Sequence, residues 1–195
     1  MKKGLSEILC IIDRSGSMNT IKSDAIGGFN TFLAEQKKQP GEASFTFVQF
    51  NTEMEVVHEN KPLNNVEPIT DDDFIPGGAT ALLDAVGFTI DSTGKRLANT
   101  PEANRPEKVI VAILTDGQEN SSKEYHLSKI KKMIKHQKEK YSWEFIFLGA
   151  NQDAFSEAYK IGIDNKDAFN FAATDEGVRS AYNDMSIRVS DYRKK

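Results

Sequence analysis

Ile8-Leu9-Cys10-Ile11-Ile12-Asp13-Arg14-Ser15-Gly16-Ser17-Met18 is the stretch on which the fold turns. Residues 5–12 form a short β-rich run that is continuously apolar from Ile8 to Ile12, the pattern of a strand covered on both faces. It ends abruptly in an acid, hydroxyls and a glycine. Downstream, Ile21, Ala25, Ile26, Phe29, Phe32 and Leu33 recur at helical spacing over 20–38, and Pro40-Gly41 stops that helix. Two strands, 43–50 and 53–59, follow with a tight joint at Asn51-Thr52, a hairpin at one sheet edge. Residues 60–78 carry Pro62, Pro68, Pro76 and Gly77-Gly78 and read as a long loop. The alternation then resumes: helix 80–97, a connection through Pro101 and Pro106, the most apolar strand at 108–114 and a lysine-rich helix at 123–140. Strand 143–148, helix 153–159, strand 168–171 and helix 175–192 complete it.

Strands alternating with helices of ten or more residues build crossover units, hence a mostly parallel sheet with helices on both faces. The expected architecture is a doubly wound, Rossmann-like three-layer α/β/α fold with one antiparallel edge strand. No repeat, low-complexity tract or long linker divides the chain, so residues 1–195 are expected to form one domain.

Composition narrows the function. The 195 residues hold 25 Lys+Arg against 29 Asp+Glu, a net charge of −4, which disfavours general nucleic-acid binding. One cysteine excludes an internal disulfide framework, and three His without Cys/His spacing exclude a zinc-finger type of site. The apolar runs are too short for a signal peptide or a membrane span, so a reducing cytoplasm is the expected compartment.

In open α/β sheets, ligands bind at the carboxyl ends of the strands. Three segments place unusual polar residues there: Asp13-Arg14-Ser15-Gly16-Ser17 after the first strand, Gly77-Gly78-Ala79-Thr80 before the second helix, and Thr115-Asp116-Gly117 after the most apolar strand. Each alone is also an ordinary cap or turn. Together they converge two carboxylates and three hydroxyls on one rim, an all-oxygen set suited to Mg²⁺, Mn²⁺ or Ca²⁺.

These residues resemble the metal-ion-dependent adhesion site (MIDAS) of von Willebrand factor A domains, and the order of elements over 5–192 resembles that family too. The likeness is nearest to stand-alone bacterial and phage-type members, with Gly77-Gly78-Ala79-Thr80-Ala81-Leu82-Leu83-Asp84 continuing the pattern. The resemblance implies a metal held by Asp13, Ser15, Ser17, Thr80 and Asp116, with the two carboxylates acting largely through bound waters. It also implies action within a multi-protein complex, as with AAA ATPases or in stress and metal-resistance systems. Neutral hydroxyls leave a bound dication strongly Lewis-acidic, and an Asp or Glu from a protein partner is the best sixth ligand. The expected function is therefore a non-enzymatic, metal-dependent protein-binding module, with Mg²⁺ as its ion.

The rival reading is a Mg²⁺-dependent phosphotransferase or phosphatase. Against it, position 15 is Ser where a second Asp is expected, and Arg14 and Lys108, the nearest candidate cations for a phosphate, belong to no recognisable set. Asp84, one helical turn past Thr80, is either a supporting residue of the site or a solvated helix position. Asp71-Asp72-Asp73 reads as a solvated loop, Lys129 to Lys140 as a solvated helix face, Cys10 and Trp143 as core, and His58, His126 and His136 as surface or strand residues.

Overall fold

A computed structural model of the protein describes residues 1–150 and 153–195. Six strands make one sheet: β1 (Lys2–Asp13), β2 (Glu42–Phe50), β3 (Met54–Pro62), β4 (Pro106–Thr115), β5 (Glu144–Ala150) and β6 (Ala168–Phe171). Their order is β3-β2-β1-β4-β5-β6, with every neighbour parallel except the antiparallel β2–β3 pair. This is the sheet the alternation predicts, with its hairpin at one edge. The helices are α1 (Lys22–Lys38), α2 (Leu82–Asn99), α3 (Leu127–Tyr141), α4 (Ala154–Ile161) and α5 (Asp175–Lys194).

The period of two in β1 explains its unbroken apolar run. Ile8, Cys10 and Ile12 enter the core beneath α1 and α5, while Leu9 and Ile11 enter the one beneath α2, α3 and α4. Trp143, just before β5, and Cys10 are both core residues, at 4% and 0% exposure. Helix ends follow their sequence signals: Thr174 caps α5 by accepting the Gly177 N–H, and Asp153 caps α4 by accepting that of Ser156. Among the described residues, no helix is long and apolar enough to cross a membrane.

The chain leaves β1 for β2 on one side and later enters β4 on the other. β1 and β4 therefore flank a topological switch point, where the outgoing loops diverge and leave a crevice at the carboxyl ends. Several boundaries lie a few residues from expectation, and two of these differences have a visible cause. β3 runs on to Pro62, three residues into the expected loop, with register shifts and a left-handed Asn60 (φ 46°) bending its pairing with β2. Helix α3 begins at Leu127 and not at residue 123, because the amides of 123–125 are held elsewhere.

Candidate metal centre

Asp13 is the last residue of β1, fully buried, and its carboxylate is built into the rim. Oδ1 accepts the Ser15 N–H at 2.7 Å and Oδ2 accepts the Thr115 hydroxyl at 2.6 Å. Ser15 Oγ lies 3.1 Å from Ser17 Oγ, and the Ser17 hydroxyl donates to Asp116 Oδ1 at 2.7 Å across 99 residues of sequence. A Cβ added at Gly117 would lie 2.9 Å from Thr80 Oγ1 and 3.8 Å from Asp13 Oδ2. The three loops thus bring all five sequence-derived oxygen bearers to one place. Ser15 and Thr80 are buried at 2% and 3% exposure, Asp116 is half-buried, and Ser17 is exposed, so the cluster has a dry floor and an open mouth.

Backbone bonds lock the loops together. Gly16 N–H donates to Gly78 O (3.1 Å), and Gly77 N–H donates to Arg14 O (2.9 Å). Gly78 has φ +76°, a conformation that favours glycine, and its Cβ position is already crowded by Thr52 Oγ1. The loop after β4 meets the Thr80 loop through Asn120, whose Oδ1 accepts the Thr80 N–H (2.9 Å) and whose own N–H donates to Thr80 O (3.1 Å). Glu119 accepts the Leu83 N–H at 2.8 Å. Neither residue was marked by the sequence reading. The only signal is their place one residue past Thr115-Asp116-Gly117, followed by two serines.

Burial governs the electrostatics. It pushes the Asp13 carboxyl up to about 6, against the lowering effect of its bonds to Thr115 and Ser15. Burial likewise raises Asp116, with the Ser17 hydroxyl opposing it. The floor holds two carboxylates whose ionised forms need compensating positive charge. The donor set of hydroxyl and carboxylate oxygens fits a hard dication in that role. Among the described residues, no group of three or more His, Cys, Asp or Glu is placed to hold a metal, so an ion here must draw on the hydroxyls.

The other candidates fall away from this centre. Arg14 pairs with Glu55 at 3.0 Å, and Lys108 lies near the start of β4, far along the strand from Thr115. Asp84 is half-buried and is not among the oxygens: its carboxylate accepts the N–H groups of Lys123, Glu124 and Tyr125 at 2.8 to 3.0 Å. Asp73 closes a local turn by accepting the N–H and hydroxyl of Thr70, which hold it below the usual carboxylate range. On α3, Lys135 pairs with Glu139 and Lys138 with Asp164.

A parallel sheet with an oxygen-lined crevice at its switch point defines a class of α/β ligand-binding domain. Residues 7–184 match the von Willebrand factor type A domain, and the chain belongs to that family, whose members are generally non-catalytic binding modules. No protein of curated function matches the chain by sequence. Among solved structures, proximal thread matrix protein 1 from the mussel byssus, with a zinc-occupied MIDAS motif, is 18% identical at a TM-score of 0.66. The alignment covers 96% of this chain and 46% of that one, so the chain spans under half the length of the mussel protein. The von Willebrand factor domain of the type V pili tip protein Mfa5 from Porphyromonas gingivalis is 10% identical at 0.66, with 95% of each chain covered. The pilus adhesin SpaC from Lactobacillus rhamnosus GG is 12% identical at 0.67, covering 98% of this chain and 30% of that one. At these identities the likeness is one of fold.

Proposed function

We propose that the protein is a metal-dependent protein-binding module whose ion is held by Asp13, Ser15, Ser17, Thr80 and Asp116. The observation that carries this reading is the convergence of those five side chains from three loops, with Ser17 bonded to Asp116 and with Thr80 and Asp13 flanking one point at Gly117. Mg²⁺ suits a set of hydroxyls and carboxylates completed by water. When bound, it supplies a Lewis-acidic position that a carboxylate from a partner protein can fill.

The chain's own residues do the rest. Asp13 and Asp116 provide the negative charge, and Ser15, Ser17 and Thr80 provide neutral oxygens that leave the cation's charge largely uncancelled. The exposed mouth at Ser17 admits a partner side chain, and the buried floor at Asp13 raises the strength of electrostatic interaction there. That a mussel relative carries zinc in its MIDAS motif supports a divalent ion at this position of the fold.

Thermal unfolding in EDTA, then in Mg²⁺ or Mn²⁺, tests the reading on the parent and on Asp13→Ala. Ion at about 100 times its dissociation constant stabilises by roughly 2.7 kcal/mol, a rise of several degrees in the midpoint. The parent should show that rise and Asp13→Ala should stay folded and show none. An equal rise in the variant, or none in the parent, overturns the assignment.

A further inference from the structure

We propose that Glu119 and Asn120 are positioning residues of this centre, clamping the Thr80 loop to the loop that carries Asp116 and so setting the affinity for the ion. The inference rests on the metal-binding reading above. It starts from the open end of α2. The residue preceding that helix, Ala81, has no side-chain oxygen and makes no cap. The first-turn amides find partners in the loop after β4: Leu83 N–H on Glu119 Oε2 at 2.8 Å and Asp84 N–H on Ser122 Oγ at 3.0 Å.

The loop is folded to present those acceptors. Glu119 Oε1 takes the N–H groups of Ser121 and Ser122, and Oε2 also takes the Ser122 hydroxyl, so one half-buried carboxylate gathers four donors. Asn120 then grips Thr80 by both backbone groups. Asp84 returns the favour by accepting the amides of 123–125. Two loops whose ends are some 36 residues apart are thereby fixed to each other.

This matters because Thr80 and Asp116 belong to different loops. On its other side, among the described residues, Thr80 is anchored through its neighbours, by Ala79 N–H to Thr52 Oγ1 and Ala81 N–H to Asn51 O. Without the clamp, the position of the Thr80 hydroxyl relative to Asp116 is no longer determined, and ion binding must order it. Outer residues that orient metal ligands typically change metal affinity by about 10- to 100-fold when removed.

The test is calorimetric titration of Mn²⁺ and Mg²⁺ into the metal-free full chain. Asn120→Ala removes an acceptor without changing charge and should weaken binding about 10-fold. Asn120→Asp, which keeps Oδ1, should recover it. Glu119→Gln should also weaken binding, whereas Glu124→Gln, which removes the same charge from the same loop but no side-chain clamp bond, should bind like the parent. Independently of metal, amide exchange at Thr80 and Leu83 should quicken in Asn120→Ala while β1 and β4 stay protected. Parent-like affinity in Asn120→Ala and Glu119→Gln overturns the clamp and leaves the metal reading standing, as does unchanged exchange. Absence of binding by the parent overturns both.

Discussion

Gly77 and Gly78 are neighbours with opposite demands. A Cβ at Gly78 would lie 2.7 Å from Thr52 Oγ1 on a backbone with φ +76°, whereas one at Gly77 would meet nothing within 4 Å. Gly78→Ala should therefore cost about 1–2 kcal/mol from its left-handed backbone alone. Gly77→Ala should fall within about 0.5 kcal/mol of the parent. Denaturant unfolding of the two variants checks this, and equal losses would contradict it. The Gly-Gly pair was legible in the sequence as the end of a loop, but which glycine is required depends on Thr52, a residue from the hairpin 26 positions before Gly78. The five oxygen bearers were legible for a different reason: three segments, each an ordinary cap or turn alone, fall together on the one rim where the strands end. Glu119 and Asn120 were not, since two polar residues in a loop carry no period and their partners lie about 40 residues away.

Among the elements, α1 shows how packing overrides propensity. Gly27 and Gly28 sit together in the helix and both weaken it intrinsically. At Gly28 a Cβ would lie 2.3 Å from the Tyr182 ring of α5, so this glycine lets the two helices close over β1 and β4; at Gly27 a Cβ would meet open space. Gly28→Ala should destabilise by about 1–3 kcal/mol through overpacking. Gly27→Ala should stabilise by about 0.5–1 kcal/mol through helix propensity. Thermal midpoints moving in opposite directions would bear this out, and a loss from both would refute the claim that only Gly28 touches α5. The strands and long helices were readable because their apolar periods are strong. The start of α3 was not: residues 123–126 are as polar as the helix they precede, and what holds them out of it is Asp84 from α2, which takes the amides of 123–125. Helix boundaries of this kind are set by a partner distant in sequence.

Across the whole molecule, β1 carries two buried carboxyls on the side facing α2, and the sheet treats them differently. Glu7 is paired with Arg96 of α2, yet burial still dominates and raises it above the usual carboxylate range. Asp13, at the other end of the strand, has a backbone N–H and a threonine hydroxyl for partners. A carboxyl whose folded pKa is raised holds its proton in the folded state after the unfolded chain has lost it, so stability falls as pH rises through that interval. For Asp13 the interval runs from its ordinary 3.8 to about 6, and ionisation in the metal-free fold costs roughly 3 kcal/mol by neutral pH. A bound cation reverses the sign by favouring the ionised form. The midpoint gain from Mg²⁺ over EDTA should accordingly be larger at pH 7.5 than at pH 5, and equal gains would contradict the linkage. Asp13→Asn separates the two effects. Its amide oxygen can still accept the Ser15 N–H, and its NH₂ can donate to Thr115 Oγ1, whose own proton can turn to Gly117 O at 2.9 Å. In EDTA at pH 7.5 this variant should be more stable than the parent by up to roughly 3 kcal/mol, and Mg²⁺ should add nothing to it. A metal-free Asp13→Asn no more stable than the parent would mean that the buried charge at the end of β1 is already compensated by the protein itself, leaving an ion little to supply.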